Sequence, residues 1–522
     1  MMNDLKIPKE KFEFVALGER IHDQKLDTKP IGYFKDAWLR FKKNKSSVVA
    51  FVIICILVIF AIVGPLLTPY TLDDRDGYYK TALPKSEFFS QFGFWDGTKW
   101  HTDTKAGYEY YNSIGVESGM DAITSDVEVF QTADGGTSYK FKIDSYYKVG
   151  YIIKTLTNDE YAALKTYQLE NDVQVLYPVP LNYAIDYTMG NSGANFWYKL
   201  KNEKQYTTGA ADFDANGDGV VSEDEQGKYI PNYLTLDNYK SVKASVDKKY
   251  DSKRIEGDDG SYVYAVKVQG GVKVRLNYYE FYKYTNGHEP SYIFGVNGYG
   301  QDIFCCLANG ARLSFLIAIV VSLINLTLGA IYGAIEGYYG GTLDIIMERI
   351  SDILSSVPFM VVATLFQMHL ADKVGILPSL LFAFVLTGWI GMASRVRMQF
   401  YRFKGQEYVL AARTLGAKDS RIIWKHIFPN TLGTLITGTV LVIPGVIFSE
   451  SMLSFLGIVN LETSPKLMSI GTMLSHGSGF LTTSPHILLA PAVFISLLEI
   501  SFNLFGNGLR DAFNPSLRGS ED

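Results

Sequence analysis

Residues 48–67 run for twenty positions without one charged side chain, and that limits what this chain can fold into. At 1.5 Å of rise per residue, such a run in a helix reaches across a hydrocarbon core of about 30 Å. Five more apolar runs follow at 313–335, 353–370, 374–393, 431–448 and 487–505, the last interrupted by Glu499. One run alone could be a buried core helix. Six of them, in a chain whose remainder is polar, read as membrane spans.

The overall hydrophobic content of 47% averages two populations, because residues 70–293 are polar and rich in Tyr and Asp. A net charge of −5 gives no reason to expect a nucleic-acid partner. Cys55 lies in an apolar run, and Cys305 and Cys306 are adjacent, which is neither a disulfide framework nor a zinc pattern. No cleavable signal peptide is expected, since the first apolar run begins near Ser46, lacks a small-residue cleavage site and is long enough to span.

Lysine and arginine set the expected orientation. Lys35, Arg40, Lys42, Lys43 and Lys45 precede the first span. Counting six spans puts residues 395–430 on the same side, where Arg395, Arg397, Arg402, Lys404, Arg413, Lys418, Arg421 and Lys425 lie. Both termini are therefore expected in the cytoplasm and residues 70–293 outside. The expected organisation is a cytoplasmic tail and amphipathic helix (1–45), a first span (46–69), an extracytoplasmic inserted domain (70–293), a five-helix core (294–512) with a cytoplasmic loop at 395–430, and a short cytoplasmic tail (513–522).

The cytoplasmic loop carries the most specific pattern. Residues 407–416 read as a short helix ended at Gly416, and a second short amphipathic helix is expected to stop before Pro429. Gly416 permits a turn that a side chain would strain. Asp419 or Ser420 is placed to cap the second helix. Ile422, Ile423, His426 and Ile427 then share one face. That face suits either a groove on a partner or the chain's own bundle.

Ala411, Ala412, Gly416 and Pro429 stand at the spacing of the EAA loop of ABC-importer permeases: Glu-Ala-Ala, three residues, Gly, nine residues, Ile-x-Leu-Pro. Leu410 replaces the Glu, His426 the Ile and Phe428 the Leu, while Glu407 lies one turn earlier. Further stretches resemble the C-type permease of dipeptide and oligopeptide importers: the basic segment 34–45, Gly295 to Ile303, Gly310 to Ser314, Leu453 to Gly457, and Phe502 to Asp511. Gln301 stands where that family usually has Arg. The resemblance covers about residues 1–70 and 294–522.

The resemblance implies an all-α membrane protein of six transmembrane helices, here with an inserted α+β domain, in a bacterial plasma membrane. It implies half of a translocation pathway for oligopeptides, paired with a second homologous permease. Two cytoplasmic ATPase subunits would bind the ATP and engage Glu407, Ala411, Ala412, Gly416, Ile423, His426 and Pro429. A separate extracytoplasmic peptide-binding protein would deliver the substrate. Nickel or another small solute is the narrower alternative.

No Gly-Lys-Ser or Gly-Lys-Thr occurs, so no phosphate-cradling loop and no ATPase of its own is expected. His288-Glu289 lacks the second His of a zinc-protease motif, and no Gly-x-Ser-x-Gly elbow is present.

The insert carries two expected hairpins, 127–132 with 138–143 and 262–268 with 272–276, and helix starts capped by Thr157 and Thr235. Residues 214–225 satisfy the twelve-position calcium-loop pattern in full. Asp214, Asn216 and Asp218 offer side-chain oxygens, Val220 its carbonyl, Ser222 a direct or water-bridged oxygen, and Glu225 two oxygens, while Gly219 makes the turn. A structural calcium ion is the expectation, against a solvated acidic turn. A membrane-anchored calcium-binding surface module is then one rival reading of the whole chain.

Glu450 and Glu499 fall in or beside spans, where an acid is costly. Each is a candidate either for the transport pathway or for a bond to a neighbouring helix. With Glu499 as an ion site, a secondary transporter is the other rival.

Overall fold

The computed structural model describes residues 33–133, 135–177, 179–180, 194–195, 262–459 and 467–513. Five of its helices are long and apolar enough to cross a membrane: Lys45–Leu67, Ile303–Tyr339, Ile376–Phe403, Asp419–Phe455 and His486–Phe513. Helices Gly341–Ser355 and Phe359–Val374 qualify together as a sixth, but they meet at a 70° bend. Pro358 sits at that bend as the N-cap of the second helix. A proline disfavours helical backbone in the residue before it, so a span starting at 353 is not continuous.

The first span begins at Asn44, whose side chain accepts from Ser47 N at 3.3 Å. An amphipathic helix, Tyr33–Lys43, leads into it and buries Ala37 and Phe41 beside Ala512 of the last helix. Ser47 Oγ donates to the Leu504 carbonyl at 3.0 Å, fastening the first span to the last helix described.

Helix Ile303–Tyr339 is the axis of the bundle. At 37 residues it is about 55 Å long. Gly329, Gly333 and Gly337 form a stripe at four-residue spacing against helix Ile376–Phe403. A Cβ on Gly333 would stand 2.2 Å from the Ala393 carbonyl oxygen, and one on Gly337 2.6 Å from Phe400 Cβ. Lipid supplies no hydrophobic force to press helices together, so close backbone packing of this kind holds them.

The described residues between 70 and 293 fold into strands and helices at one end of this bundle. Strands β1 (Thr98–Asp103), β2 (Glu128–Gln131) and β3 (Thr137–Asp144) form one antiparallel sheet in the order β1-β3-β2. Strands β4 (Tyr151–Leu156), β5 (Leu176–Tyr177), β8 (Ala265–Val268) and β9 (Gly271–Asn277) form a second, with β9 paired to the other three. Strands β6 (Val179–Pro180) and β7 (Tyr262–Val263) pair separately. The two expected hairpins are thus β2/β3 and β8/β9, with residues 262–263 diverted to β6. Thr157 caps helix Asn158–Glu170 through a full capping box, with Glu160 answering back. Leu164, Val175, Leu176, Val274 and Leu276 lie at the centre of the buried apolar cluster that these strands and helices share. Thr235 and the calcium-type loop 214–225 lie outside the described residues.

Candidate functional site

The loop at the far end of Ile303–Tyr339 is built on that helix. Helix Glu407–Thr414 is followed by a turn in which Gly416 takes φ +79°, a value that favours glycine. Gly416 N donates to the Arg413 carbonyl at 3.0 Å, and Ala417 N to Ala412 at 3.1 Å. The chain re-enters helix at Asp419. Neither Asp419 nor Ser420 is the cap. Lys418 holds that position without a side-chain bond, and Asp419 instead accepts from Tyr338 OH at 2.6 Å.

Pro429 does not stop the second helix. It falls in the first turn of Phe428–Phe455, and the stretch Asp419–Phe455 runs through as one helix. Residues Ile422–Ile427 form a wider π turn just before it. That turn shifts the hydrogen-bond register where proline has no N–H to give.

Val409, Ile422, Ile423 and Ile427 are buried together with Ala334, Tyr338, Val396 and Phe400. The shared apolar face therefore packs on the chain's own bundle. Ile423 is inside it and His426 half-buried. Glu407, Ala411, Gly416 and Pro429 are exposed, and Ala412 is half-buried. Leu415, which the sequence reading passed over, is 87% exposed at the tip of the turn, with Leu410 at 47% beside it.

A second group missed from sequence braces this end. The Arg397 guanidinium bonds both Asp344 oxygens at 2.6 and 2.9 Å and both Glu348 oxygens at 2.9 and 3.1 Å. Glu336 adds a carboxylate at 3.5 Å, and Tyr401 OH donates to Asp344. The fork geometry of arginine suits this paired recognition. It ties helix Gly341–Ser355 to the helix that leads into the loop.

Glu450 is fully buried. Its carboxylate accepts from Ser314 of the long helix and Ser454 of its own, each at 3.0 Å. Glu499 Oε1 is buried without a hydrogen-bonding partner among the described residues. The two acids thus differ in kind. Among the described residues, no group of three or more His, Cys, Asp or Glu gathers to hold a metal. Cys55, Cys305 and Cys306 are free thiols.

Long apolar helices, a glycine-packed pair and a loop helix packed against them define a multi-pass membrane protein. Comparison with known proteins agrees. Residues 325–519 match the family described as binding-protein-dependent transport system inner membrane component. Residues 32–84 match the N-terminal transmembrane domain of oligopeptide transport permease C. The oligopeptide transport system permease protein OppC of Bacillus subtilis (strain 168) is 44% identical over 43% of this chain and 72% of its own length. The dipeptide transport system permease protein DppC of the same strain is 41% identical over 43% of this chain and 69% of its own. OppC of Escherichia coli (strain K12) is 36% identical over 44% and 74%. An inward-facing structure of the MetNI methionine ABC transporter aligns with 40% of this chain and 96% of its own at 15% identity. Its TM-score of 0.34 is too low to argue from. The chain belongs to the binding-protein-dependent transport permeases, in the branch of the oligopeptide and dipeptide C-type permeases.

Proposed function

We propose that this chain is one permease half of an ATP-driven importer of oligopeptides, paired with a homologous permease and driven by two cytoplasmic ATPases. The observation that carries the reading is the 407–430 loop. Its apolar face is already satisfied by the bundle, yet its turn holds Leu415 and Ala411 out for a second protein. Glu407, Ala411, Ala412, Gly416, His426 and Pro429 form or flank that rim. Ile423 acts from beneath by holding the helix in place. ATP-driven closure of the ATPases would push the loop, and the rigid path through Asp419, Tyr338 and the long helix would carry the movement into the bundle.

In this reading the termini and the loop are cytoplasmic, and the strand-bearing domain of residues 70–293 lies outside, where a peptide-binding protein delivers substrate. Glu450 is an interhelix brace, and Glu499 meets either the pathway or the second permease. Purification of the tagged chain in mild detergent, followed by mass spectrometry, is expected to recover two ATPases and a second permease. A chain that purifies alone sinks the importer reading and brings forward the secondary transporter.

The calcium proposal for residues 214–225 rests on the complete match to the loop pattern alone. Extracellular modules of this type bind at about 10⁻⁴–10⁻³ M, so the ion is a structural one. EGTA is expected to lower the melting temperature of the domain, and millimolar calcium to restore it. An unchanged melting curve removes the ion.

A further inference from the structure

Between Pro84 and Gly97 the chain closes into a finger. Gly97 N donates to the Pro84 carbonyl at 3.0 Å and Ser86 N to Trp95 at 2.9 Å, while Lys85 bridges to Asp96. The tip, Phe88 to Trp95, holds four phenylalanines and a tryptophan and not one ionisable side chain. Phe88, Phe92 and Phe94 are 64%, 65% and 51% exposed. Each ring leaves much of its apolar surface in water, which is unfavourable. Their arrangement is preformed: Phe92 stacks on Phe94 at 6.2 Å, Phe88 meets Phe92 at 5.7 Å, and Phe89 meets Trp95 at 4.7 Å. A grouped apolar surface of this kind marks a place of contact.

Its position says what the contact is. Trp95 lies edge-on to Phe294 at 5.8 Å. Phe294 lies 5.6 Å from Phe304, in the first turn of Ile303–Tyr339, and Phe304 lies 5.2 Å from Phe60 of the first span. The rings make an unbroken line from the finger into the spanning helices. At the same end, Leu66 and Leu67 of the first span are also strongly exposed. The finger's sole cation, Lys85, is turned the other way, over the Tyr146 ring at 4.9 Å and towards Asp144 at 3.9 Å. An uncharged aromatic tip joined by these half-buried rings to the end of the spanning helices matches the aromatic belt of the membrane–water boundary.

We propose that the 84–97 finger dips its aromatic tip into the lipid beside the ends of Lys45–Leu67 and Ile303–Tyr339, and so pins the strand-bearing domain to the bilayer surface. The partner is the acyl and headgroup boundary of the membrane, not a protein. The inference requires only that the bundle crosses a membrane, and it stands whatever the substrate.

The test uses the full chain with Cys55→Ser and Phe92→Cys, spin-labelled at position 92, where the buried Cys305 and Cys306 are shielded from reagent. It is placed in nanodiscs of phosphatidylcholine and phosphatidylglycerol. Power saturation compares relaxation by oxygen, which partitions into lipid, with relaxation by a water-soluble nickel chelate. Oxygen is expected to be the more effective at position 92, and nickel the more effective at a label on exposed Lys99→Cys. Nickel prevailing at 92 overturns the proposal. Shielding from both reagents overturns it too, since a protein then covers the tip. Should Phe92→Cys fail to fold, Phe88→Cys carries the same test.

Discussion

Asp302 shows how one carboxyl can serve a fold and still be strained by it. It caps the long helix, accepting from Phe304 N at 3.2 Å, Cys305 N at 3.1 Å and Thr68 Oγ at 3.1 Å. Burial outweighs those bonds and pushes its pKa up to about 6. An unfolded aspartate releases its proton near 4, so between pH ~4 and ~6 the folded chain binds more protons than the unfolded one. Stability from this group is therefore highest below pH 4 and is lost as pH rises through 6. Asn keeps the capping oxygen and has no charge to desolvate. In melting curves across this range, Asp302→Asn is expected to gain on the native chain from pH 4 to 6.5 and to hold a constant difference above about 7. A difference that never changes with pH would clear Asp302 of this cost.

Elements meet here through small residues and long-range ion pairs, and these were unequally legible. Apolar run lengths marked the spans, because crossing a bilayer imposes its own length on the sequence. Helix ends were misjudged because helices continue past the apolar zone. Ile303–Tyr339 starts ten residues before the run at 313, and Ile376–Phe403 continues through Arg395 and Arg397. In the loop, spacing located Gly416 correctly but could not say which way the isoleucines turn, since either a partner or the bundle satisfies an amphipathic face. The Arg397 group was invisible for another reason: its partners Asp344 and Glu348 lie 53 and 49 residues away. The glycine stripe was open to reading, as Gly329, Gly333 and Gly337 repeat at the four-residue period of membrane helix contacts. Its weight can be measured. Gly333→Val places atoms where the Ala393 backbone already lies, so the two helices must part. A loss of about 1–3 kcal/mol is expected, read as a lower melting temperature in detergent. The same change at Gly391, whose added Cβ meets nothing within 4 Å, is expected to cost far less. Equal losses at the two sites would refute close packing as the cause.

At the scale of the whole molecule, the long helix joins two surfaces that the proposed assembly would turn toward different partners. One end carries the two antiparallel sheets and the aromatic finger. The other carries the loop, whose inward face is closed against the bundle, leaving Leu410, Ala411 and Leu415 as its outward apolar rim. If force from the ATPases enters the chain, it enters through that rim. Burying a leucine contributes about 1.5–3 kcal/mol, and each 1.4 kcal/mol is tenfold in affinity. Leu415→Asp removes that contact and asks the interface to desolvate a charge, so recovery of ATPase with the tagged chain is expected to fall at least tenfold. The side chain is 87% exposed in the isolated chain, so the melting temperature of the purified permease is expected to stay within the range of a surface change, about 0.5 kcal/mol. Ile423→Asp supplies the contrast. It buries a charge inside the bundle and is expected to lower the melting temperature whether or not the ATPases are present. A Leu415→Asp chain that still brings down both ATPases in full would move the driving contact elsewhere, and the exposed Trp424 on the following turn would be the next side chain to change.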